Sequence, residues 1–284
     1  MKDIKLIALD MDGTLFNENG EISEKDKETI KRATDAGVAV AVATGRSYVE
    51  LPIELLCGIG IRYAITGNGS AVYKMPTMEC VFTDCLDTDL VCEILEEVRK
   101  LDVYYDVYIE GRVYRPESVT HNIRKMDMPT AVHELVEQSR IVVDDLVEFI
   151  KASGKAVEKT TINFAYLGNG VCLDRDNTTA ILDRYPQIEY LTGGFHNWEF
   201  TKAGVNKGSG LKFLAERIGV DVSQTMACGD SQNDYSMIVA AEVGVAMGNA
   251  SAVIKEAADY ISLSNNENGV AHAIEKFVFG MHEA

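Results

Sequence analysis

Ile4-Lys5-Leu6-Ile7-Ala8-Leu9-Asp10-Met11-Asp12-Gly13-Thr14-Leu15 is the stretch on which the reading of this chain turns. A nearly continuous apolar run closed by turn residues predicts a strand buried on both faces, as in a parallel sheet. Two carboxylates, Asp10 and Asp12, arrive at its C-terminal end, and Gly13 follows at once. In open α/β sheets ligands bind beyond the carboxyl ends of the strands, so these acids stand where chemistry is placed. Both offer hard oxygen ligands for Mg²⁺. A carboxylate there can also attack phosphorus to give an aspartyl-phosphate. The plainer alternative is a strand that ends in an acidic surface turn.

Downstream, Ser23 stands three residues before Asp26 in the style of a capping box, and a helix is predicted over 24–36, stopped by Gly37. Residues 38–43 are small and β-branched and predict a second buried strand, ending in Thr44-Gly45-Arg46-Ser47. Strand, helix, strand is the right-handed unit of a parallel sheet, and it places Thr44 near Asp10. A helix around 48–56, a strand over 62–66, the turn Gly67-Asn68-Gly69 and a hairpin over 70–82 with Pro76 near its turn follow.

From about Asp84 the pattern changes. Val91, Ile94, Leu95, Val98 and Leu101 follow helical spacing, and tyrosine- and valine-rich 103–109 pairs with 112–114 across Glu110-Gly111 as a hairpin. A helix over 144–152 and a strand over 160–167 complete a mixed α+β unit. The predicted organisation is a doubly wound parallel-sheet, Rossmann-like α/β core over 1–83 and 189–284, with an α+β insertion over 84–188. In the second half of the core a strand near Glu199 precedes a helix beginning at Asn206-Lys207-Gly208. The strand Thr225-Met226-Ala227-Cys228 then opens into Gly229-Asp230-Ser231-Gln232-Asn233-Asp234. A helix to Ala241, a strand over 243–247 and helices over 251–257 and 268–279 end the pattern.

A chain of 284 residues is long for one domain and carries ample apolar material for a core, with 46% hydrophobic and 25% charged residues. Its 27 basic and 44 acidic residues leave a net charge of −17, which lacks the basic footprint that nucleic acid and anionic membranes require. Such a surface also repels anionic substrates, so a phosphate site needs local positive charge. Six cysteines without a CxxC pair argue against zinc, and the Met-Lys-Asp start runs straight into a strand without a signal-peptide layout. No apolar stretch reaches the ~20 residues of a membrane span. These features favour free thiols in a reducing cytoplasm. The sequence leaves the oligomeric state open.

Asp230 and Asp234 form a second acidic loop at the end of another predicted buried strand, so they reach the same sheet edge as Asp10 and Asp12. Two such pairs predict a hard-cation site, and Mg²⁺ suits it best, since it takes one or two carboxylates, waters and substrate phosphate. A capped helix N-terminus is the alternative for the second loop. Lys207 opens a predicted helix, where positive charge is disfavoured unless an anion binds at the same place. Thr44-Gly45-Arg46 supplies a hydroxyl, backbone N–H groups and a donor-rich head suited to phosphate oxygens.

Asp10-Met11-Asp12-Gly13-Thr14-Leu15, Thr44, Lys207 and Gly229 to Asp234, in this order, resemble the signature of the haloacid dehalogenase superfamily, most of whose members are phosphohydrolases. The large α+β insertion between the second and third pieces is similar to that of the Cof-type sugar-phosphate phosphatases. Thr66-Gly67-Asn68-Gly69, Asn206-Lys207-Gly208 and Val243-Gly244-Val245-Ala246-Met247-Gly248-Asn249-Ala250 resemble the same subfamily. The resemblance implies a Mg²⁺-dependent phosphatase acting on small phosphorylated metabolites, with Asp10 as nucleophile and Asp12 as acid and then base. It implies Mg²⁺ held by the Asp10 carboxylate, the Asp12 backbone carbonyl and Asp230, with Asp234 in or beside the shell and Asn233 close by. Thr44 and Lys207 would hold phosphoryl oxygens, with Gly45 and Arg46 alongside. In the cap, Arg112, Arg115, His121, Arg124, Lys125 and Arg175 are possible leaving-group contacts or ordinary solvated residues. A phosphomutase with the same intermediate and a non-catalytic phospho-aspartate switch are the alternative readings.

Overall fold

The computed structural model describes residues 2–194 and 196–281. The chain opens with β1 (Leu6–Leu9), α1 (Glu24–Asp35), β2 (Ala39–Ala43), α2 (Ile53–Gly58), β3 (Tyr63–Thr66), β4 (Ala71–Lys74) and β5 (Glu79–Thr83). Next come α3 (Thr88–Val98), β6 (Tyr104–Ile109), β7 (Arg112–Pro116), α4 (Thr130–Ser139), β8 (Arg140–Val143), α5 (Leu146–Ser153) and β9 (Lys159–Asn163). Then β10 (Tyr166–Gly168), β11 (Val171–Cys172), α6 (Arg175–Leu182), β12 (Ile188–Leu191) and β13 (Asn197–Lys202) follow. The last part holds α7 (Lys207–Arg217), β14 (Thr225–Gly229), α8 (Tyr235–Ala240), β15 (Val243–Ala246), α9 (Ala252–Ala257), β16 (Tyr260–Ile261) and α10 (Gly269–Phe277). These elements form two compact units.

The first unit comprises the chain up to Gly45, Pro52–Phe82, and the chain from Asn206. Its sheet has the order β16-β15-β14-β1-β2-β3-β4-β5, parallel from β16 to β3, with β4 antiparallel to β3. This is the doubly wound α/β core. All four residues of β1 are fully buried, the condition that demands an unbroken apolar run. On one face the small residues Ala8, Ala41, Ala43 and Ala227 leave room for Leu211, Leu214 and Ala215 of α7 and Met237 of α8. Filling that space with leucine contributes about 1.5–3 kcal/mol per side chain removed from water. The chain runs from β1 to β2 and β3 on one side and returns through β14 to β16 on the other. The strand order therefore reverses between β1 and β14, and ligands bind at such switch points.

The second unit comprises Arg46–Leu51 and Thr83–Val205. Its six-stranded sheet runs in the order β12-β13-β9-β6-β7-β8, antiparallel except for the β7–β8 pair, and β10 and β11 pair antiparallel as a separate two-stranded sheet. Tyr105, Val107, Ile109, Ile162 and Phe200 form a hydrophobic core with Val91, Ile94, Leu95 and Val98 of α3 and Val147 and Ile150 of α5. By strand alternation the opposite face carries Tyr104, Asp106, Tyr108, Lys159, Thr161, Asn163 and Glu199.

Four expectations differ from what is observed. The helix over 48–56 is instead a 3₁₀ turn at Tyr48–Glu50 and the separate α2, because Leu51 takes the extended backbone that a following proline imposes. The strand near Glu199 is β13, which pairs antiparallel with β9 and β12 in the second unit. The first unit thus resumes at Asn206 rather than at 189; a half-buried strand reads alike in either sheet until its partners are known. The strand over 160–167 is instead two, β9 and β10, in separate sheets. Finally, α4 and β8, and α6 and β12, occupy stretches for which the sequence pattern gives no element.

Candidate active site

Asp10 follows β1, and its backbone N–H donates to the Cys228 carbonyl at 3.0 Å, which continues the β1–β14 pairing to the strand ends. Gly13 completes the turn at φ 85°, where a side chain is strained, and a Cβ there would lie 2.6 Å from Asp230 Oδ2. The two acidic loops therefore touch through a residue that has no side chain. Thr14 Oγ1 donates to Asp230 Oδ1 at 3.2 Å and closes the same contact.

Lys207 is the first residue of α7, capped by Asn206, whose side chain accepts from the Ser209 N–H. Its ammonium is fully buried and donates to Asp10 Oδ1 and Asp234 Oδ1, each at 2.6 Å. The anions that offset a cation at this helix start are thus the chain's own carboxylates. Gly69, at φ 106°, brings its turn against α7 so closely that a Cβ would sit 2.0 Å from the Asn206 carbonyl oxygen. That contact seats the lysine. Asp234 turns its other oxygen to the backbone N–H groups of Asp230 and Ser231, both at 3.0 Å, so its place in the cluster is fixed by the loop itself.

Asp10, Asp230 and Asp234 each offer a carboxylate oxygen, and these atoms lie within 4.8 Å of one another. Three carboxylates gather beside one ammonium, with Asp10, Asp234 and Lys207 buried and Asp230 partly exposed. Burial and the neighbouring Asp234 raise the Asp10 carboxyl well above the usual carboxylate range, against the pull of Lys207. Burial, with Asp234, also pushes Asp230 up to about 6. Burial acts to neutralise Lys207, but Asp10 and Asp234 outweigh it and keep the ammonium charged above its ordinary value. Hard oxygens, convergent geometry and excess negative charge fit a divalent cation.

Thr44 is buried at the end of β2; its N–H donates to the Ile65 carbonyl, and its carbonyl accepts from the Asn68 N–H at 3.0 Å. Asn233 Nδ2 reaches Asn68 Oδ1 at 3.4 Å, so the Asn68 turn links the Thr44 loop to the second acidic loop. Asp12 is exposed, and its carboxylate is not one of the three clustered groups. Gly45 closes the first unit's opening segment, whereas Arg46 falls with the second unit. In that unit Arg175 lies over the Trp198 ring, and Lys125 pairs with Asp102 at 2.8 Å. Local sequence pattern gives no role to Thr14 or Asn68. The signals were an asparagine between two glycines, which adopts φ 57°, and a hydroxyl directly after Gly13.

The haloacid dehalogenase-like hydrolase family model matches residues 7–274. Phosphatase YwpJ of Bacillus subtilis (strain 168) is 29% identical over 96% of this chain and 99% of its own length. The same organism's 5-amino-6-(5-phospho-D-ribitylamino)uracil phosphatase YcsE is 31% identical over 97% of this chain and 96% of its own. A solved haloacid dehalogenase-like hydrolase from B. subtilis superposes with a TM-score of 0.80 at 26% identity, covering 96% of this chain and 100% of that one.

Proposed function

We propose, for a chain that belongs to the haloacid dehalogenase-like hydrolases of Cof type, that it hydrolyses small phosphate monoesters through an aspartyl-phosphate on Asp10. It is a phosphoric monoester hydrolase, the activity its relatives are named for. The observation that carries the proposed chemistry is the Lys207 ammonium held between Asp10 and Asp234 inside the three-carboxylate cluster.

Lys207 fixes one oxygen of the Asp10 carboxylate and leaves the other free to attack phosphorus in line with the departing oxygen. The P–O bond to the leaving group breaks as the Asp10–phosphorus bond forms. Asp12, exposed and outside the cluster, gives its proton to the leaving alcohol oxygen. It then takes a proton from the water that attacks the aspartyl-phosphate, which frees Asp10 and inorganic phosphate. The Thr44 hydroxyl, the Gly45 backbone and Lys207 hold the equatorial phosphoryl oxygens, with Arg46 and Asn233 alongside. Asp10 and Asp230 with the Asp12 carbonyl, and Asp234 beside them, would hold Mg²⁺, which when bound neutralises charge on the phosphoryl oxygens.

The substrate class we propose is sugar phosphates and phosphorylated sugar alcohols. It is supported by YcsE, whose name specifies a phosphorylated ribityl compound. Six cysteines without a CxxC pair suit the cytoplasm. The test is phosphate release from a panel of sugar phosphates, nucleotides and small phosphoesters, with Mg²⁺ and with EDTA. Release in step with substrate loss supports the hydrolase; isomerised product without net phosphate replaces it with a mutase.

A further inference from the structure

Residues 46–51 follow Thr44-Gly45 directly, and they cluster with the second unit. Three residues of 3₁₀ turn, Tyr48–Glu50, have too few internal bonds to hold their own conformation. Side chains hold it instead. One Glu50 oxygen accepts from the Ser47 N–H at 2.8 Å and from the Ser47 hydroxyl at 2.9 Å. The other accepts from Arg140 Nη1. Arg140 is anchored in turn, donating through Nε to Asp106 Oδ2 at 3.1 Å and through Nη1 to Ser139 Oγ at 2.7 Å. The Val49 N–H adds a bond to the Gly111 carbonyl at 3.1 Å. Glu50, Arg140 and Asp106 are all buried.

A buried ion pair is a poor route to stability, since apolar residues of the same volume often serve as well or better. What it supplies here is direction: each Glu50 oxygen has an assigned donor, so the carboxylate defines where Ser47 lies. Only Gly45 and Arg46 separate Ser47 from Thr44. The constraint therefore travels along the chain itself.

We propose that Glu50, anchored by Arg140, is a positioning residue that fixes the turn after Thr44-Gly45-Arg46 and thereby sets how that tripeptide meets the phosphoryl group. This rests on the reading of Thr44 as a phosphoryl-holding residue, and the experiment separates the two. Full-length wild type, Thr44→Ala, Glu50→Ala, Glu50→Gln and the T44A/E50A double variant are assayed with Mg²⁺ and p-nitrophenyl phosphate, with thermal unfolding measured in parallel. Glu50→Gln leaves Arg140 and Asp106 as a one-to-one pair and serves if Glu50→Ala does not fold.

A misplaced reacting geometry is expected to lower kcat about a hundredfold for E50A, with KM nearly unchanged and partial recovery in E50Q. Because both changes strike one loop, T44A/E50A should fall little below T44A alone. A folded E50A or E50Q with wild-type kcat, beside a slow T44A, overturns the positioning role and leaves the function standing. Losses in T44A and E50A that multiply overturn it as well. A T44A enzyme with unchanged kcat removes the phosphoryl-holding reading, and the positioning role with it.

Discussion

The two units each hold a cluster of buried charges, and the clusters differ in their balance: three carboxylates to one ammonium in the first, two to one guanidinium around Arg140 in the second. In the first unit Asp10, Asp230 and Asp234 converge around Lys207, and negative charge is left in excess. In the second, Arg140 stands between Glu50 and Asp106, while Lys159 pairs with Glu199 at 2.8 Å. Among the described residues only the first cluster brings three carboxylate oxygens within 4.8 Å. Burial and Asp234 drive the Asp10 and Asp230 carboxyl groups upward, Asp230 to about 6. Glu50 goes the other way: burial pushes it up, but Arg140 and Ser47 outweigh that and hold it below its ordinary 4.5. Burial raises Asp106, partly offset by Arg140. A buried cluster in which one guanidinium donates to both of its acids, Glu50 and Asp106, holds a conformation. One with three carboxylates to a single ammonium, at the C-terminal end of a parallel strand, is prepared to receive positive charge from outside.

The largest effect expected of this contrast is on turnover. Asp10→Asn should bring phosphate release to background, a loss on the order of 10⁵-fold or more for an essential nucleophile, with the fold intact by circular dichroism. Next, EDTA should abolish turnover of the wild type and Mg²⁺ restore it. It should leave the thermal midpoint of an Asp230→Asn/Asp234→Asn variant unmoved, since the excess charge is then gone.

Stability separates the clusters further. Arg140→Met strands Glu50 and Asp106 and should cost about 3–5 kcal/mol in urea titration. Lys207→Met in metal-free protein should cost less than that, because Asp10 and Asp230 are already inclined to take up protons. A larger loss for Lys207→Met would break the comparison.

The smallest effect is a pair of pH slopes of opposite sign. Glu50 has a depressed pKa, so the stability it contributes is present above about its unfolded value of 4.5 and fades as pH falls through the lower folded value. Asp230 has a raised one, so metal-free wild type should lose stability relative to Asp230→Asn as pH climbs from 3.8 through about 6. Urea titrations of both variants across pH 3–7 would show the two differences moving in opposite directions.

How far each cluster was legible in sequence follows the same division. Asp10, Thr44, Lys207, Asp230 and Asp234 stand at the ends of apolar runs or at a helix start, so local pattern locates them and parallel topology gathers them. Glu50 and Arg140 lie 90 residues apart and join through pairing that no local pattern encodes. The 46–51 turn hides for a related reason, since Tyr48, Val49, Leu51, Leu55 and Leu56 mimic a helix until Pro52 is weighed. For β13 the alternation gives a strand but not its partners. Asn68 was in view as part of a Gly-Asn-Gly turn, while its link to Asn233 depended on three-dimensional proximity.

The central claim is that Asp10 carries the phosphoryl group. Its most direct test is mass spectrometry of peptides from enzyme quenched in acid during turnover with Mg²⁺ and a phosphate monoester. A phosphoryl adduct on the peptide bearing Asp10, absent in Asp10→Asn, is the predicted result. An adduct on another residue during active turnover, or phosphate release undiminished in Asp10→Asn, would contradict the account.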